Sequence, residues 1–176
     1  ANALNMSAGY NGLESGHVSI ISFSLLIVSL INGIEIKYIM IFAGIFGSSV
    51  ALFYFNKYPS KVFIGDIGTL SFGAVIATAI IMTDQIVYGL ICIFPAYFEL
   101  YSTLKYKYLG IERRHACMNP NIDGEGFLSP PEGSEDYSLA YFILNIQSMK
   151  EPKLVGYVLF LYILSGFFAV GLALLY

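Results

Sequence analysis

Uncharged apolar stretches occupy positions 18–34, 38–56, 67–83, 85–98 and 154–176, and charged or glycine-rich links separate them. A hydrocarbon core about 30 Å thick takes roughly 20 helical residues at about 1.5 Å of rise each. Four of these runs reach or approach that length, and the one starting at Gln85 gets there by taking in Glu99 and running to about position 104. The pattern predicts an all-α, polytopic membrane helix bundle. It forms a single membrane domain over 1–176, with about five spans at 18–34, 38–56, 67–83, 85–104 and 154–176 and a loop at 105–153.

The links fall into two sets. Those at 35–37 and 83–85 are tight turns, whereas 1–17, 56–66 and 105–153 are long or rich in polar groups. Placing the second set on one face gathers Lys57, Lys61, Lys105, Lys107, Arg113, Arg114, Lys150 and Lys153 there, eight of the nine basic residues. Basic residues concentrate on the cytosolic side of membrane proteins. This face is therefore expected to be cytosolic, with the first residues inside and Tyr176 outside. Within the loop, 119–134 holds Pro120, Pro130, Pro131, Gly124, Gly126 and Gly133 and reads as irregular. Ser134, Glu135 and Asp136 then precede SLAYFILNIQSMK. That order predicts a short amphipathic helix at the interface, capped by Ser134.

Composition agrees and narrows the class. With 57% apolar and 12% charged residues and a mean hydropathy of +0.70, the chain does not have water as its main solvent. Nine basic residues against twelve acidic give a net charge of −3. That lacks the basic surplus phosphate-backbone binding requires, so nucleic acid is excluded as a partner. Cys92 and Cys117 make no disulfide framework, and no Cys/His cluster has zinc spacing. The chain opens on Ala1 and the polar ANALNMSAGYNGLESG, without a signal-peptide pattern, and is expected to be cut down or processed from a longer protein.

Polar groups at span ends carry the candidate chemistry. The first segment places Asn2, Asn5, Asn11 and Glu14 around Gly9, Gly12 and Gly16. Amides offer both donors and acceptors, and glycines let backbone approach a ligand, which suits a sugar, base or metal-phosphate site. A loop of caps and turns explains the same residues. In the second segment, FNKYPSKVFIGDIGT, Asp66 lies at a span mouth. It is either a hard oxygen ligand for Mg2+, facing Asn5, or the N-cap of the following span. Phe63 either stacks on a base or dips into lipid. In the third segment, Arg113, Arg114 and His115 can fork onto phosphate or simply anchor the cytosolic end of a span. Glu99, inside the fourth span, either snorkels or bonds to a neighbouring helix.

As a set, NALNMSAGYNGLESG, NKYPSKVFIGDIGTLSFG and ERRHACMNP, in that order, resemble the polyprenyl-phosphate N-acetylhexosamine-1-phosphate transferases. The likeness is to the archaeal and eukaryotic branch that uses UDP-GlcNAc and dolichyl phosphate. Asn11-Gly12-Leu13-Glu14 and Arg114-His115-Ala116 stand where the bacterial relatives are Asp-rich and multi-histidine. That family has ten spans, and these five resemble its second half, so the resemblance implies a missing N-terminal half carrying paired aspartates and a lysine. It implies transfer of GlcNAc-1-phosphate from UDP-GlcNAc to a polyprenyl (dolichyl) phosphate with release of UMP, the first step of lipid-linked oligosaccharide synthesis in protein glycosylation.

The resemblance further implies Mg2+ held by Asp66 and Asn5, and uracil held by Asn11 and Phe63. Arg114 and His115 would contact the diphosphate and sugar as catalytic groups beside Asp66, with Asn2, Glu14 and Arg113 completing the substrate-binding set. The short insert before the last span favours an archaeal-like cell membrane over endoplasmic reticulum, and a homodimer remains open. A bacterial-type undecaprenyl-phosphate transferase is the near alternative. A transporter half-domain would carry polar groups near the midplane, and a structural subunit would leave the Asn/Asp/Arg-His set unexplained.

Overall fold

The computed structural model describes residues 4–5, 9–110, 120–131 and 138–176. Its centre is α1 (Leu13–Ile31), which begins ahead of the predicted position 18 because Glu14, Ser15, Gly16 and His17 are helical and buried inside the bundle. Gly12 opens the helix at φ 85°, a left-handed conformation that glycine adopts without a Cβ penalty. Glu14 lies in the first turn, where the helix dipole favours an acid. α2 (Ile36–Asn56) and α7 (Glu151–Leu175) pack along α1, and α3 (Gly65–Met82) leans on α1 and α2. Ile21, Leu25, Val28, Phe42, Ile76, Tyr162 and Ala169 form the shared core.

Lipid tails are as apolar as leucine, so close backbone approach and hydrogen bonds hold such helices together. The serines of α1 supply both. Ser22, Ser24 and Ser29 donate to the carbonyls of Val18, Ile20 and Leu25 at 2.7, 2.9 and 2.7 Å. Contacts between helices occur at three levels: Ser15 Oγ to Asn56 Oδ1 at 2.9 Å, Ser19 Oγ to Ser49 Oγ at 2.9 Å, and Ser29 Oγ to Gln85 Oε1 at 3.1 Å. Gly166 of α7 lies so close to Ser24 that a Cβ there would overlap its side chain.

Among the described residues four helices are long and apolar enough to cross a membrane: α1, α2, α3 and α7. The expected straight span at 85–104 is instead two helices, α4 (Ile86–Cys92) and α5 (Ala96–Leu109), bent by 77°. Pro95 stands at the break. Its ring denies the helix an N–H and clashes with the preceding turn, a signal that apolarity alone did not reveal. The pair makes a fifth, broken crossing or a re-entrant segment.

Residues 120–131 are more regular than their proline and glycine content predicted. β1 (Asn121–Ile122), β2 (Phe127–Ser129) and β3 (Met149–Lys150) form an antiparallel sheet in the order β1-β2-β3. Asp123 builds the first turn, its Oδ1 accepting from the N–H groups of Glu125 and Phe127 at 2.9 and 2.8 Å. The amphipathic helix is α6 (Leu139–Ile146), and its cap is Ser138, which accepts from Tyr141 N at 3.1 Å. Ser134, the expected cap, lies outside the described residues.

Candidate functional site

Four polar contacts gather at one end of the bundle and tie together segments far apart in sequence. They join Asn5 to Asp66, Ser15 to Asn56, Asn11 to Glu151 and Leu139 to Glu99. Ser29 and Gln85 meet near the opposite end, beside the tight turns.

Asp66 is in the first turn of α3, where it meets the helix dipole as one alternative expected, but the N-cap position is Ile64, so Asp66 is not the cap itself. Gly65, at φ 64°, turns the chain into α3. Asn5 Nδ2 donates to Asp66 Oδ1 at 3.1 Å and to Thr69 Oγ1 at 2.8 Å. The structure thus brings Asn5 and Asp66 together, with the amide holding the exposed carboxylate. No group of three or more acids, histidines and cysteines assembles among the described residues. A cation at Asp66 would have to draw further oxygens from elsewhere, as Mg2+ does when one or two carboxylates share it with substrate phosphates and water.

The Gly9–Gly12 turn is held on several sides. Glu14 is buried, and its Oε1 accepts from Gly9 N at 3.2 Å. Glu151 Oε1 accepts from Asn11 N at 2.7 Å. A Cβ on Gly12 would lie 3.1 Å from Lys57 Cα and 3.1 Å from the Phe53 ring. Asn11 Oδ1 is left buried and without a partner among the described residues. An orphaned buried acceptor costs roughly 1–3 kcal/mol, and it is suited to a ligand's N–H.

The second segment hangs from Asn56, which is fully buried. Its Oδ1 accepts from Ser15, and its Nδ2 donates to Val62 O at 2.9 Å. This fixes the loop that presents Phe63, 75% exposed, and leads into Asp66. Lys57 lies over the Tyr54 ring, 5.2 Å from its centroid.

Glu99 is buried and accepts from Leu139 N, the first helical N–H of α6, at 3.0 Å. The hydrogen-bonding alternative is therefore the one realised. Tyr10 is half-buried near Tyr141, Glu99 and Glu151, and loss of solvent pushes its hydroxyl pKa up. Asn2, Arg113, Arg114 and His115 lie outside the described residues.

Sequence reasoning missed Asn56, Glu151 and Tyr10. Glu151 had a readable signal, an acid followed by Pro152 at the mouth of a span, the same placement that singled out Asp66. Asn56 and Tyr10 had none, because only the packing buries them. His17 was also unremarked. It is fully buried, stacked on Tyr162 with ring centroids 5.2 Å apart, and neither nitrogen has a partner among the described residues.

These features define an integral membrane helix bundle with polar side chains gathered at one end. The family described as glycosyl transferase family 4 matches residues 1–84. A proposed glycosyltransferase of Methanocaldococcus jannaschii, MJ1113, is 34% identical over 171 residues, covering 97% of this chain and 54% of that protein. The phospho-N-acetylmuramoyl-pentapeptide-transferase of Vesicomyosocius okutanii is 34% identical over 99 residues, covering 48% of this chain and 27% of that one. Its counterpart from Citrifermentans bemidjiense is 27% identical over 128 residues, with 62% and 36% covered. These matches support the polyprenyl-phosphate hexosamine-1-phosphate transferase family, and the chain spans about half the length of the archaeal relative.

Proposed function

We propose that these residues supply one half of the site of a membrane enzyme that transfers N-acetylglucosamine-1-phosphate from UDP-GlcNAc to a polyprenyl (dolichyl) phosphate and releases UMP, the opening step of lipid-linked oligosaccharide assembly. The observation that carries this reading is the Asn5–Asp66 bond, which joins two motifs 61 residues apart at the end where the other polar contacts gather. A water-insoluble lipid phosphate and a water-soluble nucleotide can meet only at a membrane surface, and this end is the cytosolic one in the proposal. An archaeal-type cell membrane is the proposed location, in keeping with the archaeal relative that covers 97% of the chain.

In this reaction a phosphate oxygen of the lipid attacks the sugar-proximal phosphorus of UDP-GlcNAc, and the bond from that phosphorus to the bridging oxygen breaks as UMP leaves. Such transfers depend on positioning and charge neutralisation. Asp66, with Asn5 beside it, would hold Mg2+, which would neutralise charge on the diphosphate. Asn11 offers its unpartnered carbonyl oxygen to the single ring N–H of uracil, and exposed Phe63 offers a face for stacking. Glu14, bonded to Gly9 N, keeps the turn that presents Asn11. Arg113, Arg114 and His115 would reach the diphosphate and the N-acetyl sugar, and Asn2 would join the first motif. The remaining catalytic carboxylates would come from the part of the family's length these residues do not span.

The test is UMP release from UDP-GlcNAc in membranes holding the full-length protein, with polyprenyl phosphate and Mg2+. Asp66→Asn keeps shape and the bond to Asn5 but removes charge, and should lower turnover by at least a hundredfold. A D66N protein with wild-type turnover would refute the role of Asp66. Release with UDP-N-acetylmuramoyl-pentapeptide and not with UDP-GlcNAc would favour the bacterial-type reaction, which the pentapeptide-transferase relatives motivate.

A further inference from the structure

Glu151 belongs to none of the motif segments, yet it makes a short contact to the first of them. It is the first residue of α7, and its Oε1 accepts from Asn11 N at 2.7 Å across 140 residues of sequence. A hydrogen bond to a charged acceptor is roughly twice as strong as a neutral one. An acid at that helix position also suits the dipole of α7, but dipole stabilisation asks for no partner, whereas this carboxylate reaches a peptide whose side-chain oxygen is buried and unpaired among the described residues.

The peptide's other neighbours leave it little freedom. Glu14 holds Gly9 N on one side, and the Lys57 backbone lies beneath Gly12 on the other. Preceding Asn11, Tyr10 is half-buried beside Tyr141 of α6, and α6 in turn has its first N–H on Glu99. The start of the last span thus sets the orientation of the first motif's central peptide.

We infer that Glu151 is a positioning residue: its carboxylate fixes the Asn11 peptide so that the Asn11 side-chain carbonyl meets the base of the nucleotide substrate. The inference rests on the uridine-sugar reading above. Glu151 touches no reacting atom, so its loss acts on nucleotide binding and not on the lipid acceptor.

The experiment uses the full-length protein in membranes. Glu151→Ala should raise KM for UDP-GlcNAc about tenfold while leaving KM for polyprenyl phosphate within about twofold. Glu151→Gln, whose amide oxygen still accepts from Asn11 N, should recover most of that loss. Asn11→Ala combined with E151A should be no worse than N11A alone, because the two act through one contact. If E151A does not accumulate, Glu151→Met keeps side-chain bulk without an acceptor and carries the same expectations. Equal rises in both KM values, unchanged KM values, or additive effects of N11A and E151A would overturn the inference. Hydrogen exchange at residues 9–12 gives a readout free of turnover: E151A should speed it at least tenfold and E151Q far less, and unchanged exchange refutes the tie. A wild-type protein that uses no uridine sugar would sink the functional reading while leaving this exchange result to judge the Asn11–Glu151 contact.

Discussion

Replacing Asn56 with alanine removes two short hydrogen bonds at once, besides a long one from its Nδ2 to Ser60 Oγ at 3.5 Å. Its Oδ1 accepts from Ser15 at 2.9 Å and its Nδ2 donates to Val62 O at 2.9 Å. Neither partner is stranded by the change, since Val62 O keeps a bond from Ser60 Oγ at 2.8 Å and the Ser15 hydroxyl can turn to a carbonyl of its own helix. The loss is therefore that of the bonds alone, about 1 kcal/mol each in protein interiors and about 0.6 in membrane bundles, so roughly 1–2 kcal/mol together. Asn56→Asp keeps the acceptor for Ser15 but sets a second carboxylate oxygen against Val62 O and buries a charge, which should cost more than about 3 kcal/mol. Unfolding by SDS titration in mixed micelles at pH 8 ranks the three proteins. An N56D protein as stable as wild type, or one more stable than N56A, would refute the assigned donor and acceptor pattern. Both variants should also reduce turnover, because the loop that Asn56 anchors leads directly into Asp66.

Three further expectations follow from the same face of the molecule. Gly12→Ala forces a Cβ into a left-handed residue and to 3.1 Å from backbone at Lys57, which should cost roughly 1–2 kcal/mol and lower activity, whereas wild-type stability in the same SDS titration would refute the close approach. Folding raises the Tyr10 pKa through burial, so above about pH 10 the unfolded chain sheds a proton that the folded chain keeps. Stability from this group is full below that pH and falls by about 1.4 kcal/mol per unit above it; Tyr10→Phe should flatten that slope between pH 8 and 11, and an unchanged slope rejects the burial effect. Cysteines placed at exposed Lys61 and Glu35 should be labelled by impermeant reagents from opposite sides of the membrane, position 61 from the cytosol, and labelling of both from one side would break the topology.

The crossings were legible because apolar length is nearly the whole requirement for spanning a bilayer, and the ends of α2, α3 and α7 lie within a few residues of where charges interrupt the runs. The break before α5 was not, since Pro95 sits in an apolar run whose hydropathy hides it. Asp66 and Asn5 were legible as polar residues at a span mouth, and the structure adds that the Asn5 amide donates to the carboxylate. What sequence could not supply were the long-range partners. Nothing in the text around Asn56 or Asn11 distinguishes an interhelical anchor from a loop residue, and Glu99 acquires its partner only when α6 arrives. The small sheet escaped because proline and glycine counts report turns and not the short strands between them.

The hydroxyls of α1 bear on the order in which the protein assembles. A helix carrying this many serines would meet a heavy cost entering hydrocarbon if its polar atoms had to wait for neighbours. Ser22 and Ser24 need no neighbour, since each gives its proton to a carbonyl one turn back in the same helix. α1 can therefore insert with those donors already occupied, and still present oxygen lone pairs on its sides. The later helices then find a pre-inserted post rather than a partner to be recruited. Of the interhelical contacts, Ser15–Asn56 and Ser29–Gln85 lie toward opposite ends of this post, so docking of α2 and of the turn before α4 fixes its height and rotation in the membrane.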